Sequence, residues 1–251
     1  MKFKMYLSLF FIVFSALNFV SCKSTSISEL SQEDGLSRIK ESYANEEWSK
    51  VVTEVDEYRI RYPYTQYTLD AELIQADAFF QGHRFAEAIA AYENMIVKNP
   101  SDSHVPFAHY RIAKSYDYQA PKSIDRDQAF AQRALDNYNL FLKAAPASEW
   151  AADATERKTI IERRLSDHTL FIADFYWDKE MYAAALSRYL IVIKENKIND
   201  QDLVKKSKER ASVCYEELAK ILEKKPTSDE FIFFKNETPQ GLRDKAQKVK
   251  L

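Results

Sequence analysis

Pro63-Tyr64-Thr65-Gln66-Tyr67-Thr68-Leu69-Asp70-Ala71 and Pro146-Ala147-Ser148-Glu149-Trp150-Ala151-Ala152-Asp153-Ala154 are two copies of one phrase, Pro-x-[Ser/Thr]-x-aromatic-x-x-Asp-Ala, in the same register. Each copy spells a joint between helices. The proline closes one helix, the hydroxyl of Thr65 or Ser148 can cap the next, and an aromatic residue sits in the first turn. A looser third copy, Pro100-x-Asp102-x-His104-x-x-Phe107-Ala108, lies between them. The joints recur after 37 and then 46 residues. Such periods predict stacked helical pairs, with an insertion in the longer one, and hence an all-α solenoid.

Composition narrows the function. A chain of 251 residues with 46% apolar content can bury a core as one domain or a short repeat array. Only Gly35, Gly82 and Gly241 are glycines, so a phosphate-cradling loop has no raw material. The formal charge of −2 becomes −4 once Lys2 and Lys4 leave with a leader, which argues against nucleic acid as a partner.

That leader is the run from Met5 to Val20 behind Lys2 and Lys4, too short and too abruptly ended for a transmembrane helix. It ends in Phe19-Val20-Ser21-Cys22, which resembles a bacterial lipobox, with Phe19 where an aliphatic residue is usual. Residues 1–21 therefore read as a lipoprotein signal peptide. The Cys22 thiol would carry a diacylglycerol, with a further acyl chain such as palmitate on the new amino terminus, and several chains anchor stably where one is marginal. Lipidation also removes Cys22 as a disulfide partner for Cys214. Lys23 after the cysteine permits transfer to the outer membrane. Residues 22–33, polar and serine-rich, are expected to be a flexible tether without fixed structure.

Residues 34–225 carry the repeats. Leu36, Ile39 and Tyr43, then Trp48, Val51, Val52, Val55 and Tyr58, have helical spacing for a first pair over about 34–62. Small-plus-aromatic couples mark the next three: Ala76/Phe79 with Ala88/Tyr92, Ala113/Tyr116 with Ala134/Tyr138, and Ala173/Tyr176 with Ala185/Tyr189. Each couple shares one helix face, the small residue admitting a close neighbour and the ring filling the space beside it. This order resembles the tetratricopeptide repeat, although its early tryptophan and leucine are poorly matched and Lys197 stands where a proline is expected. Gly82 is expected to take the left-handed conformation that breaks the second pair. Asp125 with Gln128 suggests a capping-box start after the insertion. The stretch 148–178, free of proline and glycine, suggests one long helix, and 201–224 a final one with Cys214 as a packing residue. In the tail, 226–251, Phe231-Ile-Phe-Phe234 and the basic end are expected to dock on the last repeat or bind a partner.

The chemistry of catalysis is missing from the pattern. His83, His104, His109 and His168 make no metal signature, no serine sits in a nucleophile elbow, and Glu46-Glu47 and Glu216-Glu217 read as solvated faces. No cofactor is expected. Most aromatics are absorbed by the repeats, but Tyr62-Pro63-Tyr64-Thr65-Gln66-Tyr67 gathers three tyrosines at one joint, able to offer apolar area and hydroxyls to a peptide.

Taken with the lipobox, Arg61-Tyr62-Pro63-Tyr64-x-x-Tyr67, Asp125-Arg126-Asp127 and Ser148-x-x-x-x-Asp153-Ala154-x-x-Arg157 look like the BamD family over residues 34–196. The resemblance implies about five tetratricopeptide-type pairs in the periplasm. It also implies a non-enzymatic lipoprotein subunit of the complex that assembles β-barrel proteins in the outer membrane. It further implies that Tyr62, Pro63, Tyr64 and Tyr67 meet unfolded barrel substrates or an accessory subunit, and that Arg188 meets an acidic residue of the barrel subunit, BamA. The alternative is another lipid-anchored repeat adaptor, a secretin pilotin or a cell-wall-division adaptor.

Overall fold

A computed structural model describes residues 26–195, 200–225 and 236–251. Among these the chain forms ten α-helices and no strand: α1 Gln32–Ala44, α2 Trp48–Arg61, α3 Gln66–Gln81, α4 Phe85–Lys98, α5 Val105–Gln119, α6 Ala129–Ala144, α7 Ala151–Asp178, α8 Tyr182–Glu195, α9 Gln201–Lys224 and α10 Pro239–Lys250. They follow one another as five helical pairs, an all-α repeat fold of the tetratricopeptide type. The chain divides into two compact units, the second beginning at Gln75 inside α3.

The prolines end helices as the phrase predicts, at a fixed offset. α2, α4 and α6 stop two residues before Pro63, Pro100 and Pro146. The intervening Tyr62, Asn99 and Ala145 share φ near −130° to −140° and ψ near 60° to 67°, and each still donates its N–H to the carbonyl four residues back. The proline ring bars the residue before it from helical ψ, so the same exit is cut each time. Lys225, before Pro226, takes nearly the same conformation.

The helix starts differ between copies. The Thr65 hydroxyl accepts the Thr68 N–H at 3.2 Å while Thr68 Oγ1 lies 3.4 Å from the Thr65 N–H, a reciprocal cap at the start of α3. The expected Ser148 cap is not formed. Ser148 accepts the Trp150 N–H two residues on, as Asp102 accepts that of His104, so α7 and α5 begin two residues later. The capping box of Asp125 with Gln128 is corrected likewise: Asp127 accepts the Ala129 N–H at 3.0 Å. The buried Gln128 instead donates to the carbonyls of Ser123 and Arg126, folding the insertion upon itself. His168 on α7 pins it further, its Nδ1 lying 2.5 Å from the Ile124 carbonyl oxygen.

Within pairs, the left-handed residue is His83 and not Gly82. Glu46, His83 and Glu180 have φ of 58°, 57° and 58°. In each case the next residue donates to the carbonyl five back (Glu47 to Ser42, Arg84 to Phe79, Met181 to Tyr176), the bond of a Schellman ending. That bond fixes which position must be left-handed, and Gly82 stands one residue too early. A left-handed L residue costs about 1–2 kcal/mol, and glycine's own backbone entropy returns about 0.5–1. Glu180→Gly is therefore expected to stabilise the protein by about 0.5 kcal/mol, raising the thermal midpoint by about 1–2 °C; a lower midpoint would refute the reading.

The core follows the couples. Tyr58, Tyr92, Tyr138 and Tyr189 are fully buried beside Ala88, Ala134 and Ala185, with Tyr116 nearly so and Phe79 and Tyr176 half-buried. A Cβ on Gly35 would stand 3.0 Å from the Tyr58 ring, so glycine lets α1 close on α2. In the second unit a ladder of carboxylates crosses the stack. Asp77 accepts the Tyr92 hydroxyl at 3.0 Å and pairs with Arg111 at 2.7 Å; Asp174 accepts that of Tyr189 at 2.6 Å and pairs with Lys206 at 2.9 Å. In the middle pair Lys114 occupies the place of those aspartates, one residue after the alanine. Asp117 serves instead, held by Arg157 at 2.7 Å, and the Tyr138 hydroxyl has no hydrogen bond among the described residues.

Two boundaries move. Residues 26–33 of the expected tether have fixed structure: Ile27–Glu29 form a short 3₁₀ turn, Ile27 is buried, and Ser31 caps α1 by accepting the Asp34 N–H at 3.1 Å. Two of the serines read as linker, Ser26 and Ser31, are caps, and Ile27 is the apolar anchor between them. In the tail, α10 docks on α9, burying Leu242 and Ala246 against Cys214, Leu218 and Ala219. Thr238 caps it by accepting the Gly241 N–H, with Pro239 at its first position. Phe231 to Phe234 lie outside the described residues.

Candidate functional site

The Tyr62–Tyr67 joint separates into parts that hold the fold and a part that does not. Tyr62 donates its hydroxyl to the Leu30 carbonyl at 2.7 Å and lies 5.2 Å, ring to ring, from buried Tyr58, whose own hydroxyl reaches the Gln32 carbonyl. Tyr67 donates to Glu33 at 3.2 Å, which raises its phenol above the ordinary value because ionisation would set two negative charges side by side. The two hydroxyls thus tie the joint to the chain just before α1 and to its first turn. Pro63 is exposed at the surface, and Tyr64 is 97% exposed. Ile60, one turn before the joint on α2, is 83% exposed, with Arg59 and Arg61 beside it. The first unit therefore presents an apolar and aromatic tip with a basic flank, held from behind by Tyr62 and Tyr67.

The Pro146 copy is built differently. Trp150 packs 4.7 Å from Phe107 and 5.9 Å from Tyr110, ring centre to ring centre, and Asp153 accepts the Tyr110 hydroxyl at 2.8 Å. Burial first, and this bond second, push the Tyr110 phenol far above its usual range. Successive joints in the second unit are thus stacked on each other, and this copy's aromatic is consumed in packing.

Arg188 lies on α8 between exposed Ser187 and buried Tyr189, and it is exposed without an ion-pair partner among the described residues. Phe171, Phe175 and Met181, on α7 and the turn after it, add exposed apolar area to the same unit. Sequence reading did not single them out, though Phe171 and Phe175 stand four apart on one face of the long helix. Cys22 lies outside the described residues. His104 is hydrogen-bonded to Asp102 within its own joint and His109 to Asn137 across α5 and α6, and no group of three His, Cys, Asp or Glu among the described residues is placed to hold a metal. No helix there is long and apolar enough to cross a membrane.

A sequence profile of the YfiO family, described as outer membrane lipoprotein, matches residues 30–228. The chain belongs to this family. Relatives of this chain include proteins named outer membrane protein assembly factor BamD from Caulobacter vibrioides, 25% identical over 59% of this chain and 48% of the relative, and from Rickettsia prowazekii, 25% identical over 58% of each. The protein of that name from Vibrio cholerae is 24% identical over 56% of this chain and 62% of its own length. The chain thus spans about half to three fifths of these YfiO-family relatives. The matched region begins at Leu30, whose carbonyl receives the Tyr62 hydroxyl, and covers every described helix but α10.

Proposed function

We propose that this YfiO-family protein is a non-enzymatic scaffold of the outer-membrane β-barrel assembly complex. In this reading Cys22 bears the lipid anchor and the repeats face the periplasm. Tyr64, backed by Tyr62, Pro63 and Tyr67, receives unfolded barrel substrates or an accessory subunit, and Arg188 meets an acidic residue of BamA. The relatives' shared name supports the assembly role. The observation that carries the site is Tyr64, an almost wholly exposed ring on a joint whose neighbouring tyrosines are committed to the fold. Such a ring supplies apolar area at low entropic cost, with a hydroxyl for an extended peptide's backbone.

Affinity isolation from membranes tests both surfaces. The intact chain is expected to retain BamA together with unfolded barrel proteins. Tyr64→Ala should lower barrel-protein recovery about thirtyfold, as for an interface anchor contributing about 2 kcal/mol, without altering BamA. Arg188→Glu should do the reverse. A secretin or a cell-wall synthase dominating the eluate would favour the alternative adaptors, and barrel recovery unchanged in Tyr64→Ala would sink the Tyr64 assignment.

A further inference from the structure

At the far end of the second unit, the first half of α9 and the last turn of α10 enclose an open cleft of about 510 Å³, lined by Gln201, Val204, Lys205, Lys208, Glu209 and Lys250. Its charge is one-sided. Three ammonium groups face a single carboxylate, and Lys248 adds a fourth at the same helix end. The other cations nearby are committed: Lys206 pairs with Asp174, Lys245 with Glu237, and Arg210 lies over the Trp177 ring. Lys205, Lys208 and Lys248 have no ion-pair partner among the described residues, and Lys250 only a 4.0 Å contact with Glu216 between two half-exposed side chains.

We propose that this cleft binds the phosphate of an anionic phospholipid headgroup, holding the end of the repeat stack against a lipid surface. Three features select that occupant over an acidic peptide. Every lining cation is lysine, a point charge suited to phosphate, and none offers the guanidinium fork that matches carboxylates two bonds at a time. Val204 and the lysine stems give the cleft an apolar wall, which a glycerol backbone can cover and a free anion cannot use. The chain belongs to a family of outer-membrane lipoproteins, so a lipid surface is its ordinary neighbour. Clusters of lysine beside a bilayer attract anionic lipid by about 1 kcal/mol per side chain. The inference is independent of the assembly role, since neither Tyr64 nor Arg188 takes part.

The test is titration of the full-length chain, held in a neutral detergent, with short-chain phosphatidylglycerol. Parallel titrations use short-chain phosphatidylcholine, inorganic phosphate and a glutamate-rich peptide. Saturable binding of phosphatidylglycerol alone is expected, weakened about thirtyfold by Lys205→Gln with Lys208→Gln, the loss corresponding to two lysines at a lipid surface. Lys205 is exposed, Lys208 is half-buried, and neither has an ion-pair partner among the described residues, so the thermal midpoint of this variant should match the parent. Equal binding of phosphatidylcholine, binding of inorganic phosphate as tight as the lipid, preference for the acidic peptide, or lipid affinity unchanged in the double variant would each overturn the proposal.

Discussion

Arg111→Ala is expected to destabilise the second unit by about 4 kcal/mol, while the corresponding change two rungs further along, Lys206→Ala, costs under about 1 kcal/mol. The two residues do the same job at different depths. Arg111 Nε lies 2.7 Å from Asp77 Oδ1, with the two side chains 17% and 13% exposed, whereas Lys206 and Asp174 are 47% and 35% exposed at 2.9 Å. Removing one partner of a desolvated pair strands the other charge, at about 3–5 kcal/mol, but an exposed pair gives up little because water replaces it. Arg111 also sits over the rings of Phe80 and Phe107, 4.4 Å and 5.0 Å from their centres, adding about 0.5–1 kcal/mol for each. Arg157, 34% exposed against an Asp117 only 6% exposed, should fall between. Denaturant unfolding of the three variants checks the order; three equal costs would show that depth does not govern the ladder.

None of that ladder was visible in the sequence, and the reason is distance along the chain. Asp77 and Arg111 are 34 residues apart, and charged residues make up 29% of the chain, so no pairing rule singles them out. The prolines and the alanine–aromatic couples were legible because their effects are local. Proline acts on the residue before it, and a couple three or four residues apart needs only one helix face. The left-handed position falls one residue beyond the glycine, because the Schellman register and not glycine's tolerance sets it, and that register puts His83 where the φ of 57° occurs. Helix α10 was missed although Thr238-Pro239 is a cap followed by a first-turn proline, and Leu242, Ala246 and Val249 follow at helical spacing. Its mostly charged and polar surface concealed the stripe.

The candidate site divides along the same line. That three tyrosines cluster at one joint was plain from residues 62–67, but which of them is available was not. The acceptors for Tyr62 and Tyr67 are Leu30 and Glu33, in a stretch expected to be linker. Once Ile27 and Ser31 order that stretch, two tyrosines are occupied and Tyr64 alone projects. Arg188 rests on the family resemblance and on no local pattern; α8 accounts only for its exposure, since a residue adjacent to the buried Tyr189 on an amphipathic helix is carried round toward solvent.

Deleting residues 236–251, and with them α10, is expected to open the end of the repeat stack and expose the Cys214 thiol. In the intact chain Cys214 is fully buried in one cluster with Leu218, Ala219, Leu242 and Ala246. Losing the burial of Leu242 and Ala246 with part of Val249 forfeits about 4 kcal/mol of apolar transfer. Some of this returns as the entropy of a segment that no longer has to be ordered, leaving a net loss of about 2–3 kcal/mol. A stack of repeats needs a terminal element with a polar outer face, because an uncovered last repeat shows its apolar side to water and to other copies. Gln247 and Lys248 supply that face on α10, and both are exposed. Under native conditions the truncated chain should therefore react with an alkylating reagent at Cys214, read by peptide mass spectrometry, and should self-associate, while the full chain stays unreactive at that position. Leu242→Ala, which hollows the contact without removing the helix, should cost about 2–3 kcal/mol and give intermediate reactivity. If Cys214 stays protected in the truncated protein, α10 is an appendage on a stack already closed by α9, and Leu242 should then prove nearly neutral as well.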